Sequence, residues 1–312
     1  MRLSRAPRPT FVIGPYRSGT SILTWAIGQH PNIWPLEETG WIGLYGTGAL
    51  AGYDVVRSAP RNYFDINQIS LAEYMAHAGG SIDEFILTTS ARQAENLGSA
   101  NGAASKRRWV DGTPGNTYYI PLLRHLFPAA KFLFLLRDPI DTVASLVHFD
   151  RAGGKPMTIS TAMSTWLRMA NNGLLAYRAF GPDVVKIVPY AELIERPGEV
   201  LEAIFTFIGE AHVPEAELMM RNRINSSHVT AQERAKIQRA IERNVSSIAK
   251  RLTRCYGDYL ALSSAPWIPS DAALCELESL QRLLTSTFVS PRFAVVRWIA
   301  RRLREKVLGP TH

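Results

Sequence analysis

The chain has 312 residues, of which 46% are hydrophobic and 20% charged, with a formal net charge of +8. This is an ordinary globular composition, enough to bury a large core in one α/β domain or two average ones. Two cysteines, Cys255 and Cys275, are too few for a disulfide framework. No apolar run reaches the roughly 18 residues of a membrane-crossing helix. The positive balance suits an anionic ligand, an acidic substrate, nucleic acid or a membrane surface, and charge alone does not choose among them. No interleaved aromatic–basic motif supports nucleic acid, so none is expected as a partner.

The opening MRLSRAPRPT is basic but has no apolar stretch, so a disordered lead over residues 1–9 and a reducing, cytoplasmic setting are expected. Thr10–Ile13 then reads as a short apolar strand. Gly14-Pro15-Tyr16-Arg17-Ser18-Gly19 is a tight turn, and Thr20-Ser21 opens a helix with apolar positions at Leu23, Ala26 and Ile27. Strand, glycine turn and helix N-terminus make an anion cradle, because turn amides and the unpaired first-turn amides of the helix point at one place. Thr20 and Ser21 can cap the helix and donate hydroxyls, and Arg17 supplies a cation suited to bidentate contact with an oxyanion. The rival reading is a purely structural turn, but Arg-Ser-Gly-Thr-Ser at a strand-to-helix corner is more specific than a glycine pair. The glycine spacing matches the nucleotide triphosphatase loop, yet Thr20 stands where that loop has its lysine.

His30-Pro31 stops the first helix. Glu37-Glu38 follows, and a carboxylate returning beside an anion cradle can deprotonate an acceptor hydroxyl within hydrogen-bond reach; the alternative is a pair of solvated acids. Trp41 to Lys106 reads as less regular, with a flexible stretch around Gly43, Gly46, Gly48 and Gly52 and a helix over Asp65–Ala78, forming an acceptor-side wall. Trp109-Val110 ends a strand, Gly112–Asn116 is a loop, and Tyr118–Phe127 is a helix. Phe132–Leu136 is continuously apolar, as in a parallel strand covered on both faces. Arg137-Asp138 ends it, and Pro139 starts a helix running through Ser145. An arginine at a strand end and a hydroxyl on the adjoining helix can grip one phosphate; the rival for Arg137 is an ion pair with Asp138 or Asp141. Further elements are a helix at Met157–Ala179, a strand at Val184–Tyr190, and helices at Glu199–Ile208, Ala231–Leu252 and Asp271–Leu284.

With its Arg17 cradle, the HPNIWPLEET segment and the R-D-P…S pattern at Arg137–Ser145, the chain resembles the sulfotransferases that use 3′-phosphoadenosine 5′-phosphosulfate (PAPS), over about residues 10–260. The resemblance implies an α/β fold with a central parallel sheet flanked by helices, like that of the P-loop proteins. It implies PAPS as co-substrate, 3′,5′-adenosine bisphosphate as product, and no metal. Arg17, Ser18, Gly19, Thr20 and Ser21 would meet the 5′-phosphosulfate, and Arg137 and Ser145 the 3′-phosphate at the other end of the donor. Glu38 would be the general base, with Arg17 sharing the catalytic role, and Tyr190 would contact the donor. Ser226, Ser227 and Arg234 would belong to a loop covering the adenosine. Gly112 stands where the family's Lys-Thr-Pro loop has its lysine.

The domain implied spans residues 10–262, with a linker and a helical extension over residues 263–312. In that extension, residues 291–310 pattern as a basic amphipathic helix, able to lie on a membrane surface or to cap the domain. The acceptor would be a carbohydrate, glycolipid or other small molecule offering a hydroxyl or amine. A P-loop kinase or nucleotidase, and a non-catalytic nucleotide-binding protein, are the alternatives.

Overall fold

The computed structural model describes residues 6–96, 106–221, 228–243, 247–262 and 266–289. Five strands, β1 (Thr10–Ile13), β2 (Ile33–Leu36), β3 (Arg108–Asp111), β4 (Lys131–Leu136) and β5 (Val185–Pro189), form one sheet in the order β2-β3-β1-β4-β5. Every pairing is parallel. Side chains alternate between two covered faces, which is why β1 from Phe11 and β4 from Phe132 are continuously apolar. Phe11, Ile13, Phe132, Phe134 and Leu136 enter one core, while Val12, Leu133 and Leu135 enter the other. In the first core the rings of Phe11, Trp109, Phe127 and Phe132 meet at centroid distances of 5.4 to 5.9 Å, a geometry that adds to their burial.

The connections are helical. α1 (Thr20–Ile27) joins β1 to β2, and α2 (Trp41–Arg57), α3 (Tyr63–Ile66) and α4 (Leu71–Asn96) lead towards β3. A 3-10 turn (Pro114–Tyr118) and α5 (Ile120–Leu126) lead to β4. α6 (Pro139–Val147), a second 3-10 turn (Phe149–Ala152) and α7 (Ile159–Phe180) lead to β5. After β5 come α8 (Tyr190–Glu195), α9 (Pro197–Ile208), α10 (Glu215–Met220), α11 (Ala231–Arg243), α12 (Ser247–Leu262) and α13 (Asp271–Val289). α1 and α9 cover the face holding Val12, whereas α5, α6 and α7 cover the face holding Phe11. The chain therefore leaves β1 and β4, which are neighbours, towards opposite faces. That is the topological switch point of an open α/β sheet, where a crevice opens outside the carboxyl ends of the strands.

Several expectations change. β2 is an edge strand that the sequence reading did not separate from the turn before it, and its Pro35 is tolerated because an edge leaves one side unpaired. The stretch read as flexible is helix: α2 holds Gly43 and Gly46 because added Cβ atoms would stand 2.6 Å from the Tyr119 ring and 2.8 Å from Leu126. These glycines are notches that let α2 lie close to α5. Residues 8–9 are tied to the sheet rather than loose, with the Arg8 carbonyl accepting from Arg108 and the Pro9 carbonyl from Lys131. In the extension expected from residue 263 on, α13 packs on the domain: Ala273 and Leu277 are buried in the main core, and Gln281 Oε1 accepts from the Leu122 amide at 2.8 Å. The basic helix expected at residues 291–310 lies outside the described residues. Among the described residues no helix is long and apolar enough to cross a membrane.

Candidate active site

The crevice is built first by the turn after β1. Gly14 has φ +148°, and a Cβ there would stand 2.1 Å from the Leu135 carbonyl oxygen, so the end of β1 can approach β4 only as glycine. Thr117 clasps the same residue: its Oγ1 accepts from the Gly14 amide at 2.9 Å and donates to the Gly14 carbonyl at 3.2 Å. Arg17 follows in the left-handed region at φ 67°, a conformation that costs a non-glycine residue on the order of 1 kcal/mol. Ser18 is fully buried and its hydroxyl has no hydrogen-bond partner. Thr20 and Ser21 do not cap α1, contrary to the sequence reading. The N-cap is Gly19 at φ +96°, so both hydroxyls sit inside the first turn and its leading amides are left for a ligand.

The second wall is the corner between β4 and α6. Asp138 caps α6, its Oδ1 accepting from the amides of Ile140 at 2.9 Å and Asp141 at 3.0 Å, and Pro139 occupies the first turn. Trp166 donates to the Arg137 carbonyl at 3.3 Å and pins that residue's backbone. The Arg137 guanidinium lies 5.0 Å from the Tyr190 ring centroid, and its Nε is buried without a partner. The ion pair with Asp141, the rival reading, stands at 3.9 Å, but Asp141 is also hydrogen-bonded by Arg234, whose guanidinium lies 3.6 Å from Asp138. Tyr190 opens α8 with its ring against Gly19 and Arg137, so it lines the cradle from the side.

Arg17 and Ser145, assigned from sequence to opposite ends of the donor, are brought together. Arg17 Nε donates to Ser145 Oγ at 3.2 Å, and the guanidinium stacks over Phe149 at 4.5 Å. Burial lowers the Arg17 pKa and the neighbouring charge of Arg137 lowers it further. Two guanidiniums that oppose each other, a buried hydroxyl and a buried guanidinium N–H without partners make a set that a phosphate or sulfate completes. The residues present therefore fit an anionic donor.

Glu38 lies on the open side, just past β2. Its side chain and that of Glu37 are exposed, as in the rival reading of solvated acids; partial desolvation still raises the Glu38 pKa first, the carboxylates of Asp111 and Glu37 raise it further, and Arg17 opposes them. The Tyr16 hydroxyl is likewise pushed up by burial and by Glu38. Behind this segment Thr39, Thr113 and Asn116 all donate to Asp111, a residue the sequence reading passed over. The signal was present: Asp-Gly-Thr forms an Asx-type turn, with the Thr113 amide donating to Asp111 Oδ1 at 2.8 Å. Gly112 has no room for the lysine of the resemblance, because a Cβ there would stand 2.0 Å from Thr24 Oγ1. Ser226 and Ser227 lie outside the described residues.

Residues 9–215, more than half of the chain, match the family model for the sulfotransferase family. Nodulation protein NoeE of Sinorhizobium fredii (strain NBRC 101917 / NGR234) is 27% identical over 227 residues, covering 66% of this chain and 51% of NoeE. An uncharacterized protein of Aquifex aeolicus (strain VF5) is 26% identical over 207 residues, covering 64% of this chain and 25% of its own length. The chain thus spans about half, or less, of the curated relatives it matches. Among solved structures, the sulfotransferase domain from the curacin biosynthetic pathway aligns at a TM-score of 0.49 and 15% identity, covering 81% of this chain and 99% of that one. A sulfotransferase from Alicyclobacillus acidocaldarius aligns at 0.47 and 15%, covering 84% and 98%. The family match encloses the cradle, Glu38, the Arg137 corner and the whole five-stranded sheet, and on it the chain belongs to the sulfotransferase family.

Proposed function

We propose that this protein moves the sulfuryl group of PAPS to a hydroxyl or amine of a carbohydrate, glycolipid or other small molecule, with Glu38 as general base and no metal. The observation that carries the reading is the convergence of Arg17, Arg137 and Ser145 with the partnerless Ser18 hydroxyl at the carboxyl ends of β1 and β4. PAPS supplies the reaction's electrophile: its sulfur–oxygen bond to the 5′-phosphate breaks as a bond from sulfur to the acceptor forms, leaving 3′,5′-adenosine bisphosphate. The turn amides, the first-turn amides of α1 and the Ser18, Thr20 and Ser21 hydroxyls hold the 5′-phosphate, and Arg17 offsets the charge that grows on it. Gly19 lets that phosphate approach the backbone. Arg137 holds the 3′-phosphate, and Ser145, hydrogen-bonded to Arg17, contacts the donor between the groups those two arginines hold; Tyr190 flanks the donor. Glu38 takes the acceptor proton, a role its raised pKa favours because a base works best near the operating pH.

Calorimetric titration of the metal-free protein with 3′,5′-adenosine bisphosphate, alongside ATP with magnesium, tests the donor assignment. Selective bisphosphate binding is expected, weakened about tenfold or more in Arg137→Ala, the worth of a charged hydrogen bond. Preference for ATP moves the kinase reading to the front. On an acceptor panel, Glu38→Gln is expected to lower turnover by about 10² to 10⁴ while keeping bisphosphate affinity. Full activity in that variant removes Glu38 from the base role, and tight bisphosphate binding with no turnover by the parent protein leaves a binding module.

A further inference from the structure

Asp111 is the last residue of β3 and is wholly buried. Its carboxylate accepts four hydrogen bonds. Oδ1 takes the Thr113 amide at 2.8 Å and the Thr113 hydroxyl at 2.6 Å; Oδ2 takes the Thr39 hydroxyl at 2.7 Å and Asn116 Nδ2 at 2.8 Å. Thr113 Oγ1 in turn accepts from the Thr39 amide at 2.8 Å. Thr39 is therefore held at both its backbone and its side chain. The pairing of β2 with β3 ends at Leu36 opposite Asp111, so Glu37 and Glu38 are the two residues strung between that last strand pair and the clasped Thr39. The backbone of so short a span, anchored at both ends, is held in place, and with it the point from which the Glu38 side chain starts.

The clasp also reaches the donor side. The 3-10 turn that carries Asn116 carries Thr117, which grips Gly14 at the root of the cradle. One turn thus sets the spacing between donor loop and base. A neutral amide could accept from Thr113 with its one oxygen, but its NH2 could not accept from Thr39 and Asn116, so the clasp uses both carboxylate oxygens. A fully buried carboxylate is costly, and four donors offset only part of that: burial still leaves the Asp111 pKa raised. Among the described residues, the groups that bear on Glu38 are the Tyr16 hydroxyl, Arg17, Glu37 and Asp111, of which Arg17 is a cation.

We infer that Asp111, acting through Thr39, is a positioning residue of the transfer reaction: it fixes where the backbone of Glu38 stands and sets a carboxylate beside it. The inference rests on the reading of Glu38 as the base, and the experiment separates the two. In the full-length protein, Thr39→Val is expected to lower kcat about 10- to 100-fold, the usual effect of a misplaced catalytic group, with bisphosphate affinity unchanged. Thr39→Ser keeps the hydroxyl and is expected to restore kcat to within a few-fold. Asp111→Asn is expected to show a similar loss. It should also move the acid limb of the kcat/KM profile to lower pH, because removing a negative neighbour lowers the Glu38 pKa. Should Asp111→Asn fail to fold, the Thr39 pair decides on kcat and rescue. Wild-type kcat and pH profile in Thr39→Val and Asp111→Asn, with Glu38→Gln inactive, overturns this inference and leaves the base reading standing. An active Glu38→Gln overturns both.

Discussion

The two ends of the sheet use the same kinds of side chain to opposite purposes. At the amino end, Arg108 opens β3 almost fully buried, and its guanidinium donates to the Arg8 carbonyl at 3.0 Å, the Ile208 carbonyl at 2.8 Å and Glu210 Oε1 at 2.6 Å. Asn32 donates to the same Glu210 oxygen at 3.1 Å, and Lys106 donates to the carbonyls of Gly28, His30 and Ile33 at 3.3, 3.4 and 2.7 Å. At the carboxyl end, the Ser18 hydroxyl and Arg137 Nε are buried with no partner. A buried charge or hydroxyl is therefore not in itself a sign of function. Nor is a single unsatisfied group, since Thr10 Oγ1 at the amino end of β1 is buried without a partner too; the sign is that Ser18 and Arg137 gather beside Arg17 where an anion can meet them together.

Breaking the paired end should have the largest effect on stability. Arg108→Met leaves the partly buried Glu210 carboxylate to the Asn32 hydrogen bond and deprives the Arg8 and Ile208 carbonyls of this donor, and a loss of about 3 kcal/mol is expected, read as a lowered Tm. Bisphosphate affinity of the folded fraction should not change. An unaltered Tm would erase the distinction between the two ends.

Acid probes the same cluster more gently. Burial pushes the Glu210 pKa up, but the hydrogen bonds from Arg108 and Asn32 outweigh it and hold it below its ordinary value of 4.5. Burial lowers the His30 pKa below 6.5, against the pull of Glu210. In both cases the unfolded chain binds protons more readily than the folded one. Stability should therefore begin to fall below about pH 6.5, fall further below about pH 4.5, and be lost through the lower folded values. Thermal melts between pH 7 and 4 read this out, and Arg108→Met should flatten the part below pH 4.5.

The smallest effect on stability belongs to the open end. Ser18→Ala removes a buried hydroxyl that bonds to nothing, so stability should be unchanged or raised by about 1 kcal/mol, while bisphosphate affinity falls. A destabilised Ser18→Ala variant means that the hydroxyl has a structural partner, and the contrast between the ends then softens.

The donor-side motifs could be read in the sequence because each is local. Strand, turn and helix follow within a few residues, and the turn needs glycine at Gly14 and Gly19 for reasons of backbone geometry. Pro139 marks the first turn of α6 in the same way. The acceptor-side wall is not legible in the sequence because its glycines serve packing. Gly43 and Gly46 look like breakers until α5 is beside them, and then they are contact points in a helix of 17 residues. β2 is four residues long with a proline inside it, too little pattern for a strand to announce itself. Thr20 and Ser21 look like caps because residue type at a helix start is visible in sequence, while the residue at which the first turn begins, after Gly19, is not.

The amino-acid sequence by itself determined the parallel sheet, through strands apolar on both faces, and the two loops where an anion can be held, through glycine, proline and arginine at fixed local spacing. Only the tertiary structure decided which of those residues meet. Arg17 and Ser145 are 128 residues apart, and Thr39 and Asp111 are 72 apart. They come together because the strand order sets β1 between β3 and β4, and β3 beside β2. No local pattern encodes that order. It follows from how the helices cover two apolar faces at once.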